Sequence, residues 1–73
     1  MKRLFDSRGL DLRIIGTHTA GEHDGGVSKT AYAAKNGKFY LEVFELDEGV
    51  ALFELEQSEL PVVLAEIEEL KFA

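Results

Sequence analysis

The residues most able to do chemistry are concentrated in one short stretch, residues 16–26, which read GTHTAGEHDGG. Both histidines of the chain, His18 and His23, lie there with Glu22 and Asp24, and imidazoles with a carboxylate are ligands that zinc accepts. The histidines are five residues apart in a glycine-rich stretch, whereas helical metal motifs place them four apart so that both rings share one face. Metal binding is therefore our third interpretation, and we predict no cofactor.

Other catalytic or ligand-binding chemistry finds little support. A phosphate-binding loop leads into a helix and carries Gly-Lys-Ser/Thr, but this stretch leads into a predicted strand and is acidic. The chain has no cysteine, and none of its serines lies in a Gly-x-Ser-x-Gly turn. We therefore expect a protein that is not an enzyme, in which this stretch is a long polar connection between strands.

Four residues of the stretch resemble the His-Thr-x-Gly-Glu-Pro sequence of proline racemases and hydroxyproline epimerases. They are His18, Thr19, Gly21 and Glu22, and His23 stands where those enzymes have proline. The resemblance implies racemisation by a pair of catalytic cysteines. Because the chain has no cysteine, we predict no such activity.

Length and composition limit the class of protein. A chain of 73 residues is expected to form one domain, 1–73, with a small core and marginal stability. It has no cysteine and no apolar run of about 20 residues, so we expect a cytoplasmic protein without a membrane span. Residues 1–15 lack the continuous apolar segment of a signal peptide.

Charge is unevenly distributed along the chain, whose formal net charge is −6. Residues 1–38 hold seven Lys or Arg and four Asp or Glu, a net of +3, whereas residues 39–73 hold one Lys and ten Asp or Glu, a net of −9. An acidic surface repels nucleic acid and attracts a basic protein surface. We therefore expect a basic protein partner, no direct nucleic-acid binding and no membrane binding.

Hydrophobic patterning predicts the elements that position these residues. Alternation of apolar and polar residues predicts four strands, at 10–15, 27–35, 38–46 and 50–56, while the first nine residues fray or add an edge strand. A helix over about 58–71, with Ser58 as N-cap, is predicted by one apolar stripe of Leu60, Val63, Leu64, Ile67 and Leu70. The expected fold is α+β, an antiparallel β-sheet of about four strands (a meander) with one C-terminal α-helix packed on one face.

Two turns set the predicted pairing of the strands. Asn36-Gly37 is typical of a two-residue type I′ turn, in which both central residues have positive φ. Residues 47–49 predict a three-residue turn with Gly49 in the left-handed conformation. The resulting pairs are Ala34–Phe39, Tyr32–Leu41, Thr30–Val43, Val43–Phe53, Leu41–Leu55 and Glu42–Glu54.

This pairing predicts an apolar and acidic surface on the face of the sheet that the helix leaves uncovered. Apolar side chains bordered by charges are typical of an interaction surface. The predicted partner-binding residues of this face and of the helix are Glu42, Phe44, Leu46, Val50, Leu52, Glu54, Glu56, Glu66 and Glu69. In an alternative arrangement the N-terminal segment folds over the uncovered face with Leu4 and Phe5.

The sequence thus favours a small acidic binding protein that docks on a basic, nucleic-acid-handling protein and inhibits or regulates it. Its carboxylates would occupy a Lys/Arg groove that otherwise holds phosphates, and its apolar residues would form the desolvated centre. Phage-encoded inhibitors such as anti-CRISPR and anti-restriction proteins are analogous in size and charge. The alternative is a structural module that forms a homodimer or higher oligomer through the uncovered face.

Overall fold

The computed structural model describes residues 1–6, 9–18 and 27–71, which adopt an α+β fold. These residues form an antiparallel sheet of five strands, one more than the patterning predicts, and a C-terminal helix packs against it. The elements are β1 (Lys2–Leu4), β2 (Leu12–His18), β3 (Val27–Ala34), β4 (Phe39–Glu45), β5 (Gly49–Leu55), a 3₁₀ turn (Gln57–Glu59) and α1 (Leu60–Lys71). The order across the sheet is β1-β5-β4-β3-β2.

The additional strand, β1, is an edge strand formed by the N-terminal segment. Arg3 lies opposite Phe53 of β5, and Leu4 lies opposite Leu52. Leu4 therefore joins the sheet rather than folding over it. The Phe5 side chain is 88% exposed and covers little of the sheet, and its ring centroid is 5.0 Å from the guanidinium carbon of Arg3.

The turn between β3 and β4 is one residue longer than predicted. The Ala34 N–H donates to the Lys38 carbonyl at 3.0 Å, so residues 35–37 form the turn. Gly37 has a φ of 84°, whereas Asn36 does not adopt positive φ, which is costly for a residue with a Cβ. Instead, the Asn36 Oδ1 accepts a hydrogen bond from the Lys38 N–H at 2.9 Å. The predicted type I′ turn is therefore wrong.

This difference of one residue turns β3 over, because a shift by one position moves every side chain of a strand to the opposite face. Ala31 lies opposite Leu41, and Tyr32 lies opposite Tyr40. The small Ala31, and not Tyr32, consequently faces the helix, where it is fully buried. The sheet does not contain the predicted pairs Ala34–Phe39, Tyr32–Leu41 and Thr30–Val43.

The turn between β4 and β5 confirms the left-handed glycine but not the predicted pairing. Gly49 has a φ of 81° and pairs with Glu45 across a three-residue turn. The pairing is shifted by two residues, which keeps each side chain on its predicted face but changes its neighbour. Glu42 lies opposite Leu52 and not opposite Glu54, so a destabilising like-charge pair is avoided. The predicted pairs Val43–Phe53 and Leu41–Leu55 are replaced by Val43–Ala51 and Leu41–Phe53.

The core lies between α1 and one face of the sheet. The predicted helical stripe is confirmed for four of its five members, because Val63 and Ile67 are buried and Leu60 and Leu64 pack against the same cluster. The buried members of the cluster are Ala31, Leu41, Leu55, Val63 and Ile67. The helix makes most of its sheet contacts with β2 and β3, so part of β4 and β5 is left uncovered even on this face.

The helix begins differently from the prediction. Ser58 lies inside the 3₁₀ turn, and Glu56 occupies the N-cap position. The Glu59 carboxylate accepts a hydrogen bond from the Glu56 N–H at 3.0 Å and forms an ion pair with the Met1 ammonium at 3.0 Å. These contacts lower the pKa of the Glu59 carboxyl below its ordinary value. The N-cap prediction for Ser58 is therefore wrong. Glu56 holds the N-cap position, and its backbone N–H bonds to the Glu59 carboxylate.

Candidate functional site

Of the residues considered as metal ligands, only His18 lies within the described residues. It ends β2, which continues into the stretch expected as a connection, and it lies opposite Lys29 of β3. Glu22, His23 and Asp24 lie outside the described residues. Within residues 1–6, 9–18 and 27–71, no group of three or more His, Cys, Asp or Glu side chains is placed to hold a metal ion.

The face of the sheet opposite the helix carries most of the predicted partner-binding residues. Leu41 and Leu55 point into the core, so their alternating neighbours on β4 and β5 point away from α1. These neighbours are Tyr40, Glu42, Phe44, Val50, Leu52 and Glu54. The structure therefore brings together five of the predicted residues on one face, with Leu46 in the adjoining turn.

The two carboxylates of this face make contacts within the chain. The Glu54 Oε1 is 3.1 Å from the Lys38 Nζ, and this contact raises the pKa of the Lys38 ammonium. The Glu42 Oε1 accepts a hydrogen bond from the Tyr32 hydroxyl at 3.4 Å. Burial, and then the Glu42 carboxylate, raise the pKa of the Tyr32 phenol. A partner would have to compete with these contacts to use either carboxylate.

The other three predicted glutamates, Glu56, Glu66 and Glu69, lie away from the uncovered face. Glu66 forms an ion pair with Lys29 at 3.7 Å, so its charge is already partly offset. Glu69 lies on α1, which packs on the other face of the sheet. Glu56 follows β5 directly, at the opposite end of that strand from Val50. The structure therefore does not join these three glutamates to the sheet residues in one surface.

The strongest concentration of unpaired charge lies at the turn between β4 and β5, where the sequence reads ELDEG. No ion pair among the described residues involves Glu45, Asp47 or Glu48. Sequence reasoning did not include them as site residues, although three acidic residues within four positions were a visible signal. What sets these three apart from other carboxylates without an ion pair, such as Glu56 and Glu69, is that they lie within four positions of one turn.

Exposed apolar side chains accompany these carboxylates. Phe44 lies opposite Val50, and the two are 37% and 57% exposed. Leu46, in the turn itself, is 76% exposed. We call the combined set the turn-end surface, and it consists of Phe44, Glu45, Leu46, Asp47, Glu48 and Val50. Leu52 is not part of it, because its side chain is half-buried between Leu4 and Glu42 on the neighbouring strands.

No protein-family model, curated protein sequence or solved structure matches this chain. In the described part of the chain, no helix is long and apolar enough to cross a membrane. The feature that distinguishes the turn-end surface from the rest of the described chain is exposed apolar area beside carboxylates without ion pairs.

Proposed function

We propose that this protein is a non-enzymatic inhibitor or regulator that docks, through the turn-end surface, on a basic protein that handles nucleic acid. The observation that supports the proposal is the group of three unpaired carboxylates, Glu45, Asp47 and Glu48, around exposed Leu46. A groove that binds phosphates presents Lys and Arg side chains, and carboxylates can occupy it in place of phosphate. The proposed site of action is the cytoplasm.

The electrostatic part of the proposal depends on which charges remain available. An exposed ion pair within the chain already satisfies part of each carboxylate's interaction with cations. Glu54 and Glu66 have such partners, in Lys38 and Lys29, whereas the turn carboxylates have none among the described residues. The turn-end surface is therefore the part of the acidic half best suited to attract a basic partner and to accelerate association.

The apolar part of the proposal depends on Phe44, Leu46 and Val50. Residues that carry most of the binding energy of an interface lie at a desolvated centre surrounded by polar contacts. Phe44 and Val50 are fixed by their pairing across β4 and β5, so little conformational entropy is lost when they dock. The analogy with phage-encoded anti-CRISPR and anti-restriction inhibitors concerns size and charge, and it motivates the choice of a nucleic-acid-handling partner.

A pull-down with charge-matched variants tests this proposal. The tagged protein is incubated with nuclease-treated bacterial lysate at low and high salt, and retained proteins are identified by mass spectrometry. One triple variant, Glu45→Gln, Asp47→Asn and Glu48→Gln, removes the turn charges. The matched control carries Glu66→Gln, Glu68→Gln and Glu69→Gln on the helix, and it removes the same number of charges elsewhere.

The expected result is a basic nucleic-acid-binding protein that is retained by the wild type and the helix variant at low salt. The turn variant should lose it, and high salt should weaken the wild-type interaction. Equal loss in both triple variants would reduce the effect to non-specific charge and contradict docking at the turn. An empty pull-down in all samples would contradict the proposal as well.

Self-association is the competing proposal, and the turn-end surface also bears on it. A two-fold symmetric contact places the same patch of both copies together. The unpaired carboxylates Glu45, Asp47 and Glu48 would then face one another, which disfavours such a dimer at low salt. We expect light scattering at low salt to give the mass of one chain. A mass of two or more chains that Phe44→Asp returns to one would favour the oligomer instead.

A further inference from the structure

The connection between the two edge strands crosses the sheet. β1 and β2 are the outermost strands of the order β1-β5-β4-β3-β2, and residues 5–11 join them. On the face opposite α1, Phe5 and Asp6 of this connection line one cavity together with Leu12 of β2. Tyr40, which also points away from α1, is only 2% exposed. The connection therefore passes over the face opposite the helix and covers part of it.

The cavity at the start of this connection adjoins the turn-end surface. It has a volume of about 220 Å³, and Val50, which belongs to the turn-end surface and is 57% exposed, lines it. Phe5 also lines it, with a side chain that is 88% exposed, so exposed apolar residues stand at its mouth. We call it the connection cavity, and its apolar lining consists of Leu4, Phe5, Leu12, Val50 and Leu52.

Two carboxylates also line the connection cavity, those of Asp6 and Glu42, and both are engaged within the chain. The Glu42 Oε1 accepts a hydrogen bond from the Tyr32 hydroxyl at 3.4 Å, and Asp6 interacts with another group of the chain. A cationic side chain would have to compete with these contacts and give up its hydration on entering. An uncharged apolar side chain gains free energy by leaving water for the apolar lining. The cavity therefore favours an uncharged occupant.

The volume of the connection cavity indicates that the occupant is a single side chain. Pockets for drug-sized ligands have volumes of about 300 Å³ or more. A cavity of about 150 Å³ lined by Leu, Ile and Phe is large enough to hold benzene. With about 220 Å³, the connection cavity has room for one aromatic ring but not for a larger ligand.

We infer that the partner inserts one aromatic side chain into the connection cavity when it docks on the turn-end surface. This inference rests on the proposed function, since the aromatic side chain belongs to the basic protein that the turn carboxylates attract. Aromatic side chains that fill a pocket beside polar contacts carry much of the binding energy of an interface. The carboxylates of the turn then accelerate association, and the cavity slows dissociation.

The first test uses N-acetyl-phenylalaninamide as the probe and N-acetyl-lysinamide as the matched cationic probe. Each is titrated into the protein, and methyl signals are followed by NMR. We expect the phenylalanine amide to shift the signals of Leu12, Val50 and Leu52 in a saturable manner, while those of Val63 and Ile67 in the core stay unchanged. The lysine amide should bind about tenfold more weakly or worse.

A matched pair of substitutions separates the connection cavity from the rest of the surface. Leu52→Phe adds a ring inside the cavity, so it should weaken binding of the phenylalanine amide by about tenfold or more. Leu46→Phe makes the same change outside the cavity and should leave binding within about twofold. Phe5→Ala decides the question if Leu52→Phe does not fold. Its side chain is 88% exposed, and its loss should weaken binding by about threefold or more.

The pull-down connects the cavity to the partner. Leu52→Phe should retain less than about a tenth of the basic protein that the wild type retains at low salt. The inference is overturned if the phenylalanine amide shifts none of the three signals, if the lysine amide binds as well, or if Leu52→Phe retains the basic protein fully.

These outcomes leave the proposed function intact when the triple variant of the turn still loses the basic protein. Conversely, binding of the phenylalanine amide together with an empty pull-down would contradict the proposed function and support the connection cavity as a site for an aromatic ligand.

Discussion

The two ends of the paired strands β4 and β5 differ in almost every physical respect. At one end, which we call the core end, Tyr40 and Leu41 are 2% and 3% exposed, and Leu55 is buried beneath the helix. At the other end, Val50 and Leu46 are mostly exposed, although the backbone pairing continues to Gly49. The same two strands therefore stabilise the fold at one end and expose the turn-end surface at the other.

Charge follows the same division. At the core end the Glu54 carboxylate forms an ion pair with Lys38, and the Glu59 carboxylate accepts a hydrogen bond from the Glu56 N–H. At the turn end the carboxylates have no ion pair among the described residues. The difference arises because α1 starts beside the core end and packs mainly on β2 and β3. Position along the strand, more than the face of the sheet, therefore separates the buried residues that stabilise the fold from the exposed residues of the turn-end surface.

The largest expected effect compares the same residue type at the two ends. Leu41→Ala should lower the free energy of unfolding by about 2–5 kcal/mol, because it leaves a cavity under the helix. Leu46→Ala should change it by less than about 0.5 kcal/mol, since that side chain is largely in water. Urea denaturation with equal m-values measures both. Similar losses of unfolding free energy from the two substitutions would contradict the difference in stability between the two ends.

The next largest effect comes from substituting the glycine of each turn, which tests whether the two turns are equally constrained. Gly37→Ala and Gly49→Ala each place a Cβ at positive φ, and no atom beyond the adjacent residues lies within 4 Å of it, so each should cost about 1–2 kcal/mol from backbone strain alone. The same denaturation experiment applies, with Lys35→Ala as an exposed control. Equal costs would show that the backbone is equally constrained at both ends. A negligible cost for Gly49→Ala alone would show that the turn-end hairpin contributes little to folding.

A smaller effect concerns the buried phenol of the core end. Tyr40→Phe removes the hydroxyl that accepts a hydrogen bond from the Asn36 Nδ2 at 3.1 Å, and it should cost about 0.5–1.5 kcal/mol. Tyr32→Phe removes a longer contact to Glu42, at 3.4 Å, so it should cost less. Thermal and urea unfolding of the two variants should rank them in this order. The reverse order would place the more important polar contact at Glu42.

The smallest effect is a dependence of stability on pH. The hydrogen bond from the Glu56 N–H, together with the Met1 ammonium, holds the pKa of Glu59 below its ordinary value in the folded protein. Its stabilising contribution is therefore present above the ordinary glutamate pKa and is lost as the pH falls through the folded-state value. Melting temperatures of wild type and Glu59→Gln should differ at pH 7 and converge in acid. Glu48→Gln is the control, and an equal convergence for that variant would contradict the assignment to Glu59.

Side-chain periodicity alone determined the architecture of this protein. The α+β fold, the apolar stripe of α1 and the exposed Phe44, Leu46 and Val50 follow from which positions recur with periods of 3.6 and 2. The left-handed Gly49 follows from the conformational freedom of a residue without a Cβ. These features are local, so the residues that cause them are neighbours in the sequence.

Only the tertiary structure decided the register of the sheet and the pairing of the carboxylates. The β3–β4 turn differs from the prediction by one residue, and this moves Tyr32 from the core to Glu42. The contacts of Glu54 with Lys38 and of Glu66 with Lys29 join residues from different elements. Such contacts depend on distances of a few ångströms between distant parts of the chain. Residue types and spacing do not specify these distances, because a change of one residue in a turn alters every one of them.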